Sequence, residues 1–127
     1  MTSKVLIVDD EDFFRRIVAM GFEREGFNVI QADNGEDGLK IAGKEMPDLI
    51  LLDLVMPRLL GFEVCQALRK DKRFDNTAII IMSAKSYNPD LDKAAELGAD
   101  DYVVKPFEFQ DLLKTARHHM NKRSNAK

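Results

Sequence analysis

Asp48-Leu49-Ile50-Leu51-Leu52-Asp53-Leu54-Val55-Met56-Pro57 is the stretch that decides the fold. Four apolar residues, Leu49 to Leu52, run without a polar break into Asp53. A short continuous apolar run suits a strand buried on both faces, as in a parallel sheet. Pro57 follows closely and ends regular structure. Asp53 is therefore expected at the carboxyl end of a buried strand, at the mouth of a loop. Open α/β sheets bind their ligands there. A lone aspartate in that place can equally be a loop cap, and the other strands decide between the two readings.

Toward the N-terminus, residues 5–8 form a first buried strand that ends in Asp9-Asp10. Residues 12–25 read as a helix, with Phe14, Ile17, Val18, Gly21 and Phe22 at helical spacing. Asp12 suits its N-cap and Gly26 its stop. Residues 27–32 make a second, more polar strand, expected at an edge. Asn34-Gly35 signals a turn, and a weaker helix over 36–45 contains Gly38 and Gly43.

Beyond the central strand, the spacing predicts a helix over 62–70 with Phe62, Cys65 and Leu68 inside, then a loop over 74–77. Residues 78–82 are a fourth apolar strand, ending in Ser83. Asn88-Pro89 opens a helix that Gly98 stops. Residues 102–104 are a short fifth strand ending in Lys105-Pro106. A last helix over about 108–120 buries Leu112, Leu113 and Ala116. Strand–helix alternation five times over predicts an α/β fold: a three-layer, doubly wound, five-stranded parallel sheet with five helices. One domain is expected over residues 3–121, with 122–127 a frayed tail.

The bulk composition narrows the function. The chain has 127 residues, 45% of them hydrophobic, which is enough for one core without staples. A net charge of −3 and a pI near 5.4 carry no nucleic-acid footprint, and no basic recognition helix stands out, so no direct nucleic-acid binding is expected. The single cysteine, Cys65, excludes an internal disulfide and falls among apolar helix positions, so it reads as core filler in a reducing compartment. No apolar stretch approaches membrane length, and Met1-Thr2-Ser3-Lys4 leads straight into a strand. A cytoplasmic protein without membrane contact is expected.

Four apolar strands thus end in Asp9-Asp10, Asp53, Ser83 and Lys105. In a parallel sheet these ends share one edge, so the four sites converge. Each alone has an ordinary explanation, as a cap, a turn hydroxyl or a surface lysine. Three clustered carboxylates need counter-charge. Lys105 supplies one positive charge and a hard divalent cation such as Mg²⁺ the other two. Two cationic groups over one aspartate make a site for a transferring phosphoryl group, with Asp53 as nucleophile.

Ile7-Val8-Asp9-Asp10, Leu51-Leu52-Asp53-Leu54-Val55-Met56-Pro57, Met82-Ser83-Ala84 and Lys105-Pro106-Phe107 occur in the order and spacing of a known family. Over about residues 4–120 the chain closely resembles the response regulator receiver domain of two-component signal transduction, of the chemotaxis-regulator kind. The resemblance implies a flavodoxin-like sheet in the order 2-1-3-4-5. It implies that Asp53 accepts phosphate from a sensor histidine kinase or a histidine phosphotransfer protein. Asp10, Asp53 and the Val55 backbone carbonyl would bind Mg²⁺, with Asp9 acting mainly through water. Ser83 would hydrogen-bond the phosphoryl group and Lys105 would pair with it. Ser83 and Tyr102 would form a switch that alters the face of the fourth helix, fifth strand and fifth helix toward an unknown downstream protein. Val55 and Lys85 occupy positions that tune phosphate lifetime, and the bond to Pro106 is typically cis. A kinase helix would dock near Phe13, Phe14 and Ile17. Leu60 departs from the family, which often has an acidic residue just before the glycine at Gly61.

On this reading the chain is not an enzyme beyond accepting phosphate and slowly losing it. An alternative is a receiver fragment of a longer transcriptional or enzymatic regulator. A Mg²⁺-dependent phosphohydrolase of the haloacid-dehalogenase type would want a second acid two residues after Asp53, where Val55 stands. A flavodoxin-like cofactor binder would want phosphate donors after the first strand, where the acids at 9–12 repel phosphate.

Overall fold

The computed structural model describes residues 2–54, 56, 60–84 and 88–124. Val55 and Lys85, expected to tune phosphate lifetime, and with Val55 the expected carbonyl ligand, lie outside them.

Five strands alternate with five helices: β1 (Lys4–Val8), α1 (Asp12–Arg24), β2 (Asn28–Ala32), α2 (Gly35–Glu45), β3 (Leu49–Asp53), α3 (Gly61–Lys70), β4 (Ala78–Ser83), α4 (Asn88–Glu96), β5 (Asp101–Val104) and α5 (Phe109–Ser124). The strands pair in parallel in the order β2-β1-β3-β4-β5. The more polar β2 is at the edge, as its sequence suggests.

The central strands divide their side chains by alternation. Leu6, Val8, Ile50, Leu52, Ile79 and Ile81 face a core closed by Ala42, Val64, Cys65, Leu68 and Ala94 of α2, α3 and α4. Val5, Ile7, Leu49, Leu51, Ile80 and Met82 face the opposite core, closed by Val18, Ala19 and Phe22 of α1 and by Leu112, Leu113 and Ala116 of α5. Both faces are covered, so the β3 run has no polar position to spare and is fully buried.

Local signals act as read in most places. Gly26 and Gly98 follow α1 and α4 at φ 92° and 96°, where a side chain would be strained. Asn34 caps α2, its Oδ1 accepting from the Asp37 N–H at 2.9 Å.

Three expectations are corrected. Asp12 does not cap α1: it is the first helical residue, behind Glu11, and its carboxylate is drawn to Arg15 Nη1 at 2.8 Å. The segment expected as a loop over 74–77 begins inside a one-turn 3-10 helix, Lys72–Phe74, that buries Phe74. The tail expected to fray from residue 122 is helical through Ser124, because Arg123 reaches back to Asp100 at 2.7 Å and to the Asp75 carbonyl at 3.1 Å.

Candidate functional site

The register brings the strand ends together. Asp53 lies beside Met82, Ser83 beside Val104, and Asp9 directly follows Val8, which pairs with Leu52. Three bonds extend the ladders past the strands. Asp9 N–H donates to Ala32 O at 3.0 Å, Leu54 N–H to Met82 O at 3.1 Å and Lys105 N–H to Ser83 O at 2.7 Å. The site residues therefore sit on regular backbone, and the Lys105–Pro106 bond beside them is cis.

Oxygens of Asp9, Asp10 and Asp53 all lie within 4.8 Å of one another. Asp9 and Asp53 are buried and Asp10 is exposed. Lys105 Nζ reaches into the group, 2.9 Å from Asp9 Oδ2 and 3.6 Å from Asp53 Oδ1. It also lies 2.7 Å from Glu11 Oε1 and 4.2 Å from the centre of the Phe14 ring. Phe14 in turn packs edge-on against Phe107, with centroids 5.6 Å apart. A cation over an aromatic face is attracted by the ring quadrupole, so Phe14 forms a floor under the ammonium.

The charges do not balance. Burial raises the Asp53 carboxyl to about 7, and repulsion from Asp9 adds to the rise, although Lys105 opposes it. Burial also raises Asp9, more than the Glu11 N–H and Lys105 pull it down. Burial alone would lower the Lys105 ammonium, but its bonds to Glu11 and Asp9 leave it raised. One lysine holds its proton firmly yet cannot satisfy three acids. A donor set of carboxylate oxygens with an unmet need for positive charge fits a hard cation.

Sequence reasoning missed two members of this group. Glu11 looked like one more acid in a charged turn, and its pairing with Lys105 needs strand ends far apart in sequence. Phe14 was expected on the docking surface with Phe13 and Ile17, but it is half-buried beneath Lys105. Phe13 and Ile17 are exposed, at 80% and 51%, and Met20 continues their row at 50%. Adjacent helix positions diverge by about 100°, so Phe13 and Phe14 take opposite surroundings.

Ser83 is buried at the end of β4, next in sequence to the partner of Asp53. Tyr102 on β5 is half-buried and packs on the core beneath α2, α3 and α4. The loop after β3 returns through Gly61, whose N–H donates to Leu54 O at 3.0 Å. Glu63 Oε1 accepts from the Leu60 N–H at 3.0 Å and steadies this helix start, although leucine offers no reciprocal acceptor.

Residues 5–117 match the response regulator receiver domain family. The chain belongs to that family. Relatives of this receiver include the alkaline phosphatase synthesis transcriptional regulatory protein PhoP of Bacillus subtilis, 45% identical over 88% of this chain and 46% of its own length. The probable transcriptional regulator ycf27 of Guillardia theta is 42% identical over 97% of this chain and 47% of its own. The DNA-binding dual master transcriptional regulator RpaA of Synechocystis is 37% identical over 90% and 47%. Among solved structures, the chemotaxis response regulator CheY4 of Vibrio cholerae superposes with a TM-score of 0.88 at 31% identity, covering 94% of this chain and 99% of that one.

The receiver spans about half the length of the curated relatives it matches. The expectation of no direct nucleic-acid binding is overturned by them, since they are transcriptional regulators and one is named as DNA-binding. The physical reason is scope: a net charge of −3 describes these 127 residues and says nothing of sequence beyond them. Among the described residues, no helix is long and apolar enough to cross a membrane.

Proposed function

We propose that this receiver is a phosphoacceptor in which Asp53 takes a phosphoryl group from the phosphohistidine of a sensor kinase or phosphotransfer protein. The observation that carries this reading is the meeting of buried Asp53 with Lys105 Nζ at 3.6 Å and with Asp9 and Asp10 oxygens inside 4.8 Å. In the transfer, the phosphorus–nitrogen bond breaks, a bond from Asp53 Oδ to phosphorus forms, and the imidazole leaves. Asp10 and Asp53 would hold Mg²⁺, which supplies positive charge to the phosphoryl oxygens when bound. Both Asp9 oxygens are already engaged, Oδ2 by Lys105 and Oδ1 by the Glu11 N–H at 2.9 Å, which supports an indirect role for Asp9 through water. Lys105 would turn from Asp9 and Glu11 toward the phosphoryl oxygens, and Ser83 would donate its hydroxyl to them. Tyr102 would follow Ser83 and change the face of α4, β5 and α5.

The donor's helix would dock on the exposed row Phe13, Ile17 and Met20 of α1 beside the acidic edge. Beyond acceptance and slow loss of phosphate, the protein would catalyse no turnover. We place it in the cytoplasm and take its output to be transcriptional, as supported by relatives at 37–45% identity that are named for that output.

The test is direct. Incubation with acetyl phosphate and Mg²⁺ should add one phosphoryl group that is stable in acid and lost in base. Asp53→Asn should gain none, and a variant that still gains it would remove Asp53 from the role.

A further inference from the structure

We propose that Arg15 is a positioning residue for the cation site: its guanidinium fixes the turn that carries Asp9 and Asp10, and thereby sets how tightly the site binds Mg²⁺. The proposal rests on reading Asp9, Asp10 and Asp53 as a Mg²⁺ site.

Arg15 is a buried residue on α1, which is unusual for an arginine. Its Nη1 donates to the Asp9 backbone carbonyl at 2.8 Å and pairs with Asp12 Oδ1 at 2.8 Å. Its Nε donates to Gln31 Oε1 on the neighbouring β2 at 3.0 Å. The Asp9 carbonyl belongs to the planar peptide unit that joins Asp9 to Asp10. Holding that oxygen fixes the plane of the unit, and with it the position of the Asp10 Cα from which the side chain leaves the backbone. The other peptide unit of Asp9 is held by its N–H on Ala32 O at 3.0 Å, also on β2. The acidic turn is thus pinned on both sides to β2, directly on one and through Arg15 and Gln31 on the other.

The sign of the charge makes the placement informative. A guanidinium stays protonated and repels a cation bound nearby. Electrostatics alone would therefore have Mg²⁺ bind tighter once Arg15 is gone. A purely structural arginine would lower stability and leave the affinity of the folded protein unchanged. A positioning arginine does the opposite of the first, because a displaced Asp10 carboxylate no longer meets the near-ideal octahedral geometry that Mg²⁺ demands.

The experiment is a Mg²⁺ titration of the whole 127-residue chain, read by backbone amide shifts along the carboxyl edge of the sheet, with a thermal melt without Mg²⁺ alongside. Arg15→Met should bind Mg²⁺ at least fivefold more weakly. Arg15→Lys keeps the charge but loses the fork, and should also bind more weakly. Gln31→Met leaves every charge in place and should weaken binding two- to threefold. Unchanged or tighter binding in Arg15→Met would overturn the proposal. Should that variant fail to fold, wild-type affinity in both Arg15→Lys and Gln31→Met overturns it. A wild type that neither binds Mg²⁺ nor gains phosphate on Asp53 defeats the site reading and the proposal with it. A wild type that does both, beside variants that match it, defeats only the role of Arg15.

Discussion

At the scale of single residues, Asp53 gives the protein a pH dependence that Mg²⁺ should remove. Its carboxyl titrates near 3.8 when unfolded and at about 7 in the fold, mainly because of burial and then because of Asp9. Between those values the native state binds more protons than the unfolded chain. Stability therefore falls as pH rises through this window, and the loss is complete above 7. Asp53→Asn removes the charge but keeps the shape. In EDTA at pH 8 we expect it to be about 2 kcal/mol more stable than wild type, less than the full shift would give because protein and solvent relax around the ionised carboxylate. Near pH 4 the difference should vanish, and millimolar Mg²⁺ should shrink it at pH 8. Urea unfolding at the two pH values checks this, and equal stabilities in EDTA at pH 8 would refute the buried-charge account.

At the scale of elements, two glycines in helices predict opposite outcomes. Alanine is favoured over glycine inside a helix by roughly 1 kcal/mol. Gly43 of α2 has only Arg73 Nη2 within reach of an added Cβ, at 3.8 Å. Gly43→Ala should therefore stabilise by about 0.5–1 kcal/mol. Gly61 opens α3 where that helix presses on the end of β3, and an added Cβ would collide with the Asp53 carbonyl oxygen and stand 2.9 Å from Leu54 Cα. Both obstacles are backbone and cannot turn away. Gly61→Ala should destabilise by roughly 2–3 kcal/mol despite its better propensity. Denaturant midpoints of the two variants decide it, and a shift of the same sign in both would contradict the close approach at Gly61.

At the scale of the whole molecule, a shared carboxylate ties the β4–β5 side of the sheet edge opposite the candidate site. Asp100, just before β5, accepts from Arg69 Nη2 at 3.0 Å, from Arg123 Nη2 at 2.7 Å and from the Ile79 N–H of β4 at 2.9 Å. Arg69 also donates to the carbonyls of Gly98, Phe74 and Thr77. The node ties together α3, the 3-10 turn, β4, β5 and the end of α5. Asp100→Ala leaves two half-buried guanidiniums without their acid and should cost about 2 kcal/mol, or roughly 7 °C in melting temperature. Labelling of Asp53 by acetyl phosphate, measured well below the melt, should persist, because the node lies at the far ends of the strands. A melt within 2 °C of wild type would show that the node does not hold the fold. None of this node was legible beforehand, since its charges are scattered from Arg69 to Arg123 among many surface charges of both signs. By contrast, the sheet was legible from its interior. A central parallel strand is covered on both faces, so Leu49 to Leu52 had to be a continuous apolar run, and Asp53, Ser83 and Lys105 had to mark where it and its neighbours stop. Periodicity likewise placed Leu112, Leu113 and Ala116 inside. Chain order and apolar pattern are local properties, and they determined the elements, the parallel layering and the edge on which the site residues meet. What polar side chains do once they meet depends on distance and burial, which only folding creates. Tertiary structure alone therefore decided that Lys105 rests between Asp9 and Glu11, that Phe14 lies under it while Phe13 faces solvent, that Arg15 leaves the helix surface to grip the Asp9 carbonyl, and that Asp53 is buried deeply enough to titrate near neutrality.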